Sequence, residues 1–173
     1  NNPDKYGIFV LDSILGGSVS SRLFQKLREE CGLVYTTGSN HSAHLDTGIF
    51  TIYAATGMNN LKAVVDLIGA ELQVIQDQLV DAVELTRAKE QLKGNLLLSL
   101  ENTSNRMSRI AKAELFQDHL LTPTESVAKI DLVTSEDLLR IARAIFGQQR
   151  PVLAAIGPFK HREKLIRRIY DEF

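Results

Sequence analysis

The chain holds 173 residues, room for one compact domain and not comfortably for two at roughly 100 to 200 residues per domain; a chain of that size hides about 70% of its unfolded surface without covalent staples. Hydrophobic residues are 44% and charged residues 24% of it, which argues against disorder, and the single cysteine, Cys31, excludes an internal disulfide framework and suits a cytosolic or other reducing setting without fixing one. Twenty Lys and Arg against twenty-one Asp and Glu leave a net charge of −1, so no broad field draws nucleic acid or an anionic membrane.

The opening residues, Asn1-Asn2-Pro3-Asp4-Lys5, show neither an initiator Met nor the basic-then-apolar order of a signal peptide, and read as the start of an excised piece. Pro3 and Asp4 suit a helix start, and Ile8, Phe9, Leu11, Ile14 and Leu15 recur near helical spacing until Gly16-Gly17. Ser18, Ser20 and Ser21 offer cap oxygens to a second helix through Leu23, Phe24, Leu27 and Cys31, which Gly32 ends. Two extended stretches follow, about 33–42 and 47–55, rich in Thr, Val, Ile, Tyr and Phe, and the linker from His44 to Thr47 makes them an antiparallel hairpin. The period then returns to helical. Val64, Val65, Leu67, Ile68, Leu72, Ile75 and Leu79 form one stripe capped by Asn59 or Asn60, a second long helix runs from about Val83 past Leu100, and a third carries Met107, Ile110, Ala111, Leu115 and Phe116. Thr122-Pro123-Thr124 opens a short helix, and Thr134 to Asp137 reads as a capping box before a helix that Gly147 closes. Pro151–Ile156 reads as a short strand and Lys160 onward as a basic terminal helix. No stretch approaches the 18 or so apolar residues of a membrane span.

Strands segregated from helices predict an α+β class with an antiparallel-rich sheet and several helices on one face. Three strands are few beside so many helices, since a sheet usually has about five or six, so a first strand is expected to be missing from the N-terminal side.

Most searches for chemistry return structural readings. His41 and His44 form an H-x-x-H pair, but an odd offset on a strand sends them to opposite faces, and Asp46 is the only acid beside them. Cys31 at a helix C-terminus is disfavoured as a thiolate and reads as a packing residue. Glu84/Glu90 and Glu29/Glu30 read as solvated helix faces, and Lys160, Arg162, Lys164, Arg167 and Arg168 as an exposed basic face. Gly16-Gly17-Ser18 running into a helix is the stronger rival, because free N–H groups at a helix start bind anions. It lacks G-x-G-x-x-G and the Lys of a phosphate loop, and a helix precedes it where those motifs need a strand.

The segment from Leu15 to Tyr35, LGGSVSSRLFQKLREECGLVY, resembles the hallmark stretch in the C-terminal half of the pitrilysin, insulinase and processing-peptidase family of zinc metallopeptidases. The similarity continues through Asp46-Thr47-Gly48, Ala88-Lys89, Gln91 to Gly94, Leu96 to Ser104, Arg106-Met107-Ser108, Ile130-Asp131, Val133-Thr134 and Gly157-Pro158, so it covers nearly the whole chain. The resemblance implies one half of a clamshell that encloses extended or unfolded peptides, with zinc held by H-x-x-E-H on an N-terminal domain. This chain has no H-x-x-E-H: His41, His44, His119 and His161 each lack the required partners. It resembles the zinc-free second domain, residues 1–173, with no catalysis alone and no metal of its own. The zinc-bearing domain or subunit and a peptide substrate are its implied partners, and a homo-oligomer stays open. The family's second domain supplies an arginine and a tyrosine seven residues apart, and Arg28 and Tyr35 match that spacing. Arg28 would orient a peptide carbonyl, and Tyr35 would donate to the oxygen on which charge develops. Their plainer readings are a solvated arginine beside Glu29 or Glu30 and an aromatic on a half-buried strand. The alternative function is a non-catalytic scaffold or pseudo-peptidase subunit that binds peptides or partner subunits.

Overall fold

In the computed structural model, which describes residues 2–44, 46–116, 121–147, 151–158 and 167, the first helix, α1, spans Lys5–Leu15 and buries Val10, Leu11, Ile14 and Leu15. Asp4 precedes it but caps nothing with its side chain; it pairs instead with Arg140, at 2.6 and 3.0 Å. At the other end Gly16 lies so close to the next layer that a Cβ there would stand 2.2 Å from the backbone nitrogen of Ser39. Only glycine permits that approach.

The second helix differs from a plain α-helix. Arg22 and Leu23 begin it as α, and Phe24–Glu30 continue as π-helix, with the Cys31 N–H donating to Lys26 O at 3.2 Å. Ser18, Ser20 and Ser21 do not cap it through their side chains; the Ser21 hydroxyl donates to Ser18 O at 2.6 Å. Cys31, expected to pack, is exposed: the wider turn ends there, and the chain leaves through Gly32 at φ +60°.

Strands β1 (Val34–Ala43) and β2 (Gly48–Thr56) pair antiparallel from Val34↔Thr56 to Ala43↔Gly48. The hairpin closes by the His44 N–H donating to Thr47 O at 2.8 Å. After the 3₁₀ turn Met58–Asn60 come α2 (Leu61–Asp77), α3 (Ala82–Ser99), α4 (Thr103–Phe116), α5 (Pro123–Asp131) and α6 (Ser135–Phe146). Asp81 caps α3, and reciprocal capping boxes start α5 (Thr122 with Glu125) and α6 (Thr134 with Asp137). Each box satisfies two N–H groups that a helix start leaves orphaned. The Asp137 carboxyl is held below the usual range, first by the Thr134 backbone N–H.

Two clusters hold these layers together. The larger joins Val10, Leu11, Ile14 and Leu15 of α1 with Ile75, Ala88, Ile130, Leu138, Ile141 and Ala142 of the helices around it. The smaller joins Leu23 and Leu27 of the second helix with Val34 and Val64, and Ile52 and Ala54 of β2 pack against it. On the opposite face of the sheet Ile49 and Tyr53 are exposed. The class is therefore α+β, with helices packed on one face of an antiparallel sheet, as the sequence implies.

Two expectations are corrected. Pro151–Ile156 forms no strand; it makes no ladder, and Val152 and Ile156 are fully exposed, because an isolated strand without an edge to join buries nothing. The helix expected around Met107 to Phe116 forms as α4, with Met107, Ile110 and Leu115 exposed and Ala113 buried. Glu84 is not solvated: Arg22 grips it with two bonds, Nε to Oε1 at 2.9 Å and Nη2 to Oε2 at 2.6 Å, with both side chains 19% exposed. The Glu84 carboxylate in turn raises the Arg22 pKa. This pair fastens the second helix to α3. Glu84→Ala leaves a half-buried guanidinium unpaired and is expected to lower the unfolding free energy by about 1.5–3 kcal/mol, read by urea unfolding of the intact protein. The expected terminal helix from Lys160 lies outside the described residues, Arg167 apart, as do His119 and His161.

Candidate functional site

Arg28 and Tyr35 are separated by a sharp reversal of the chain. The second helix ends at Glu30, and Gly32, in the left-handed region at φ +60°, sends the backbone back alongside the helix's last turn into β1. Leu27 and Val34 meet beneath this reversal in the smaller cluster, and the Leu33 N–H donates to Leu27 O at 2.9 Å. Helix end and strand start are thereby fixed to one another from below. A Cβ on Gly32 would meet nothing within 4 Å, so Gly32→Ala should cost only the left-handed backbone, about 1–2 kcal/mol in denaturant unfolding, and Gly32→Asn less.

Above it, the guanidinium carbon of Arg28 stands 6.0 Å from the Tyr35 ring centroid and 4.9 Å from that of Phe24. Tyr35 is 83% exposed, which corrects the half-buried reading. The cause lies in the ladder: Val34 pairs with Thr56 and Thr36 with Ala55, so Tyr35 is the extra residue of a bulge and has no partner across the strand. A bulge re-aims its side chain, here away from the core that holds Val34. Arg28 also lies 3.8 Å from Glu29, both side chains roughly half exposed. At that length and exposure the ion pair contributes little, whereas an arginine over a ring at an exposed site gains about 0.5–1 kcal/mol. The aromatic faces, more than the acid, hold Arg28.

The site therefore presents a guanidinium fork and a phenol side by side on open surface. Together they offer donors to a carbonyl or carboxylate oxygen. Sequence reading singled out both residues but took Phe24 only as a core position and missed the π-helix and the bulge. The Phe24/Arg28 spacing of four, on adjacent turns of one helix, was the available signal.

The rival sites resolve structurally. The Gly16 and Gly17 N–H groups both donate to Asp12 O, at 3.0 and 2.8 Å, so these two close the end of α1 and do not face a phosphate. His41 Nδ1 is bonded to Asp12 Oδ2 at 2.8 Å and its ring packs on Phe9, and Ser39 donates to the other Asp12 oxygen. His44, in the hairpin turn, faces Ser42 and does not converge with His41. A cleft of about 670 Å³ opens beside His41, Phe9, Leu96 and Lys112, away from Arg28 and Tyr35. Among the described residues no group of three His, Cys, Asp or Glu could hold a metal ion, so these residues do not fit a zinc site.

Residues 1–92, which carry α1, the second helix, the hairpin and α2, match the family model described as the peptidase M16 inactive domain. The chain belongs to this family. It is 40% identical over 153 residues to the uncharacterized zinc protease YmxG of Bacillus subtilis, covering 88% of this chain and 37% of that protein. It is 36% identical over 167 residues to an uncharacterized zinc protease of Streptomyces coelicolor, covering 96% of this chain and 36% of that one. The peptidase M16 inactive domain from Pseudomonas fluorescens superposes with a TM-score of 0.72 at 22% identity, over 84% of this chain and 35% of that chain, a likeness of fold. The chain thus spans a little over a third of the curated relatives it matches. It is a pitrilysin-family domain of the inactive type, similar to a part of proteins named zinc proteases.

Proposed function

We propose that this chain is the substrate-clamping second domain of a longer zinc-dependent endopeptidase, with zinc and H-x-x-E-H on another domain or subunit. In this reading Arg28 orients a carbonyl of an extended or unfolded peptide, and Tyr35 donates its phenol proton toward the scissile oxygen as negative charge gathers there. The observation that carries it is the meeting of Arg28 and Tyr35, seven residues apart, on exposed surface over a rigid apolar base. A bulge that spends no pairing on Tyr35 supports the same reading. In this reading residues 1–173 form one domain, and among the described residues a sheet of two strands, with an exposed, apolar Pro151–Ile156 that joins no ladder, favours completion by a strand from outside the chain.

The test is reconstitution. The chain alone should leave an unstructured peptide intact, and the chain joined to a domain bearing H-x-x-E-H should cut it. Hydrolysis by the isolated chain contradicts the proposal, as does a joined protein that cuts equally well with Arg28→Ala and Tyr35→Phe together.

A further inference from the structure

Phe24 lies one turn before Arg28 on the same helix and is half buried. Its ring centroid stands 4.9 Å from the Arg28 guanidinium carbon, closer than the 6.0 Å between that carbon and the Tyr35 ring. Arg28 has no other strong restraint: its acid neighbour Glu29 stands 3.8 Å away, and its side chain is 43% exposed. A four-bond side chain with that freedom would sample many rotamers unless a flat surface held it. The π-helical turn that carries both residues is rare in proteins and frequent at functional sites, and here it sets the ring under the fork.

We infer that Phe24 is a positioning residue, the platform that holds the Arg28 guanidinium flat beside Tyr35 so that its donors meet the peptide carbonyl already oriented. The inference rests on the proposed role of Arg28. Phe24 touches no substrate; it acts through Arg28 alone, so its effect exists only while an arginine is there to be held.

A double-mutant cycle in the intact, zinc-loaded protein decides it, with kcat/KM for an unstructured fluorogenic peptide, the Kd of that peptide for the chelated enzyme, and Tm as readouts. Phe24→Leu keeps an apolar side chain but loses the π face and is expected to lower kcat/KM about tenfold, with Kd weakened in parallel, while Phe24→Tyr keeps wild-type values. In the Arg28→Ala background Phe24→Leu should change neither quantity. Equal losses in both backgrounds mean a merely structural role and overturn the inference while leaving the role of Arg28 standing. No loss with Arg28→Ala alone overturns the proposed function and this inference with it. Phe24→Met repeats the cycle should Phe24→Leu lower Tm strongly, and additivity there is equally fatal.

Discussion

Tyr35→Phe in the intact protein is expected to reduce kcat about 10²- to 10³-fold with KM and Tm nearly unchanged. The magnitude is that of removing one donor aimed at a developing oxyanion, and the selectivity follows from the surroundings of the side chain. Tyr35 is 83% exposed, so deleting its hydroxyl empties no cavity and orphans no buried partner. Its ring, which the phenylalanine retains, is the part that stands near Arg28. A rise in KM with unchanged kcat, or unaltered turnover, removes the phenol from the chemistry. Steady-state kinetics on an unstructured peptide, beside a thermal unfolding curve, separate these outcomes.

The parts of the fold that local chemistry dictates were readable in advance. The helix start at Thr122-Pro123 and the capping box at Thr134 need only residues up to three apart, and both form. The hairpin of β1 and β2 follows from a β-branched, aromatic run broken by a polar turn. What escaped is set by registers and long-range partners. Leu23, Phe24, Leu27 and Cys31 fit an α-helix in spacing, and nothing local distinguishes that from a helix that slips to i→i+5 bonding at Phe24. The bulge at Tyr35 depends on how β2 aligns with β1, which the sequence of β1 alone does not contain. The same holds for Glu84, whose partner Arg22 is 62 residues away, and for Pro151–Ile156, whose continuous apolar run becomes a strand only beside an available edge. At the site, the identities of Arg28 and Tyr35 came from a family resemblance, while the reason they meet, Gly32 above and the Leu27–Val34 contact below, came from the structure.

That contact makes Leu27→Ala the most informative core substitution. Leu27 is fully buried, and truncating a buried leucine costs about 2–5 kcal/mol through lost transfer energy and the cavity left behind. Leu11, equally buried in the larger cluster, should cost a similar amount as Leu11→Ala, so urea unfolding of the intact protein should not tell the two apart. Activity should. Leu11, on the buried face of α1, packs in the larger cluster away from the site, and a folded Leu11→Ala protein at low temperature should hydrolyse peptide at close to the normal rate. Leu27 sits between the helix end that carries Arg28 and the strand start that carries Tyr35, and a cavity there lets the two slide against each other. A misplacement of about 1 Å can cost up to about 10²-fold in rate, so kcat/KM of folded Leu27→Ala should fall well beyond that of Leu11→Ala. Equal activities at equal stability loss would mean that the apolar base beneath Gly32 does not set the spacing of Arg28 and Tyr35.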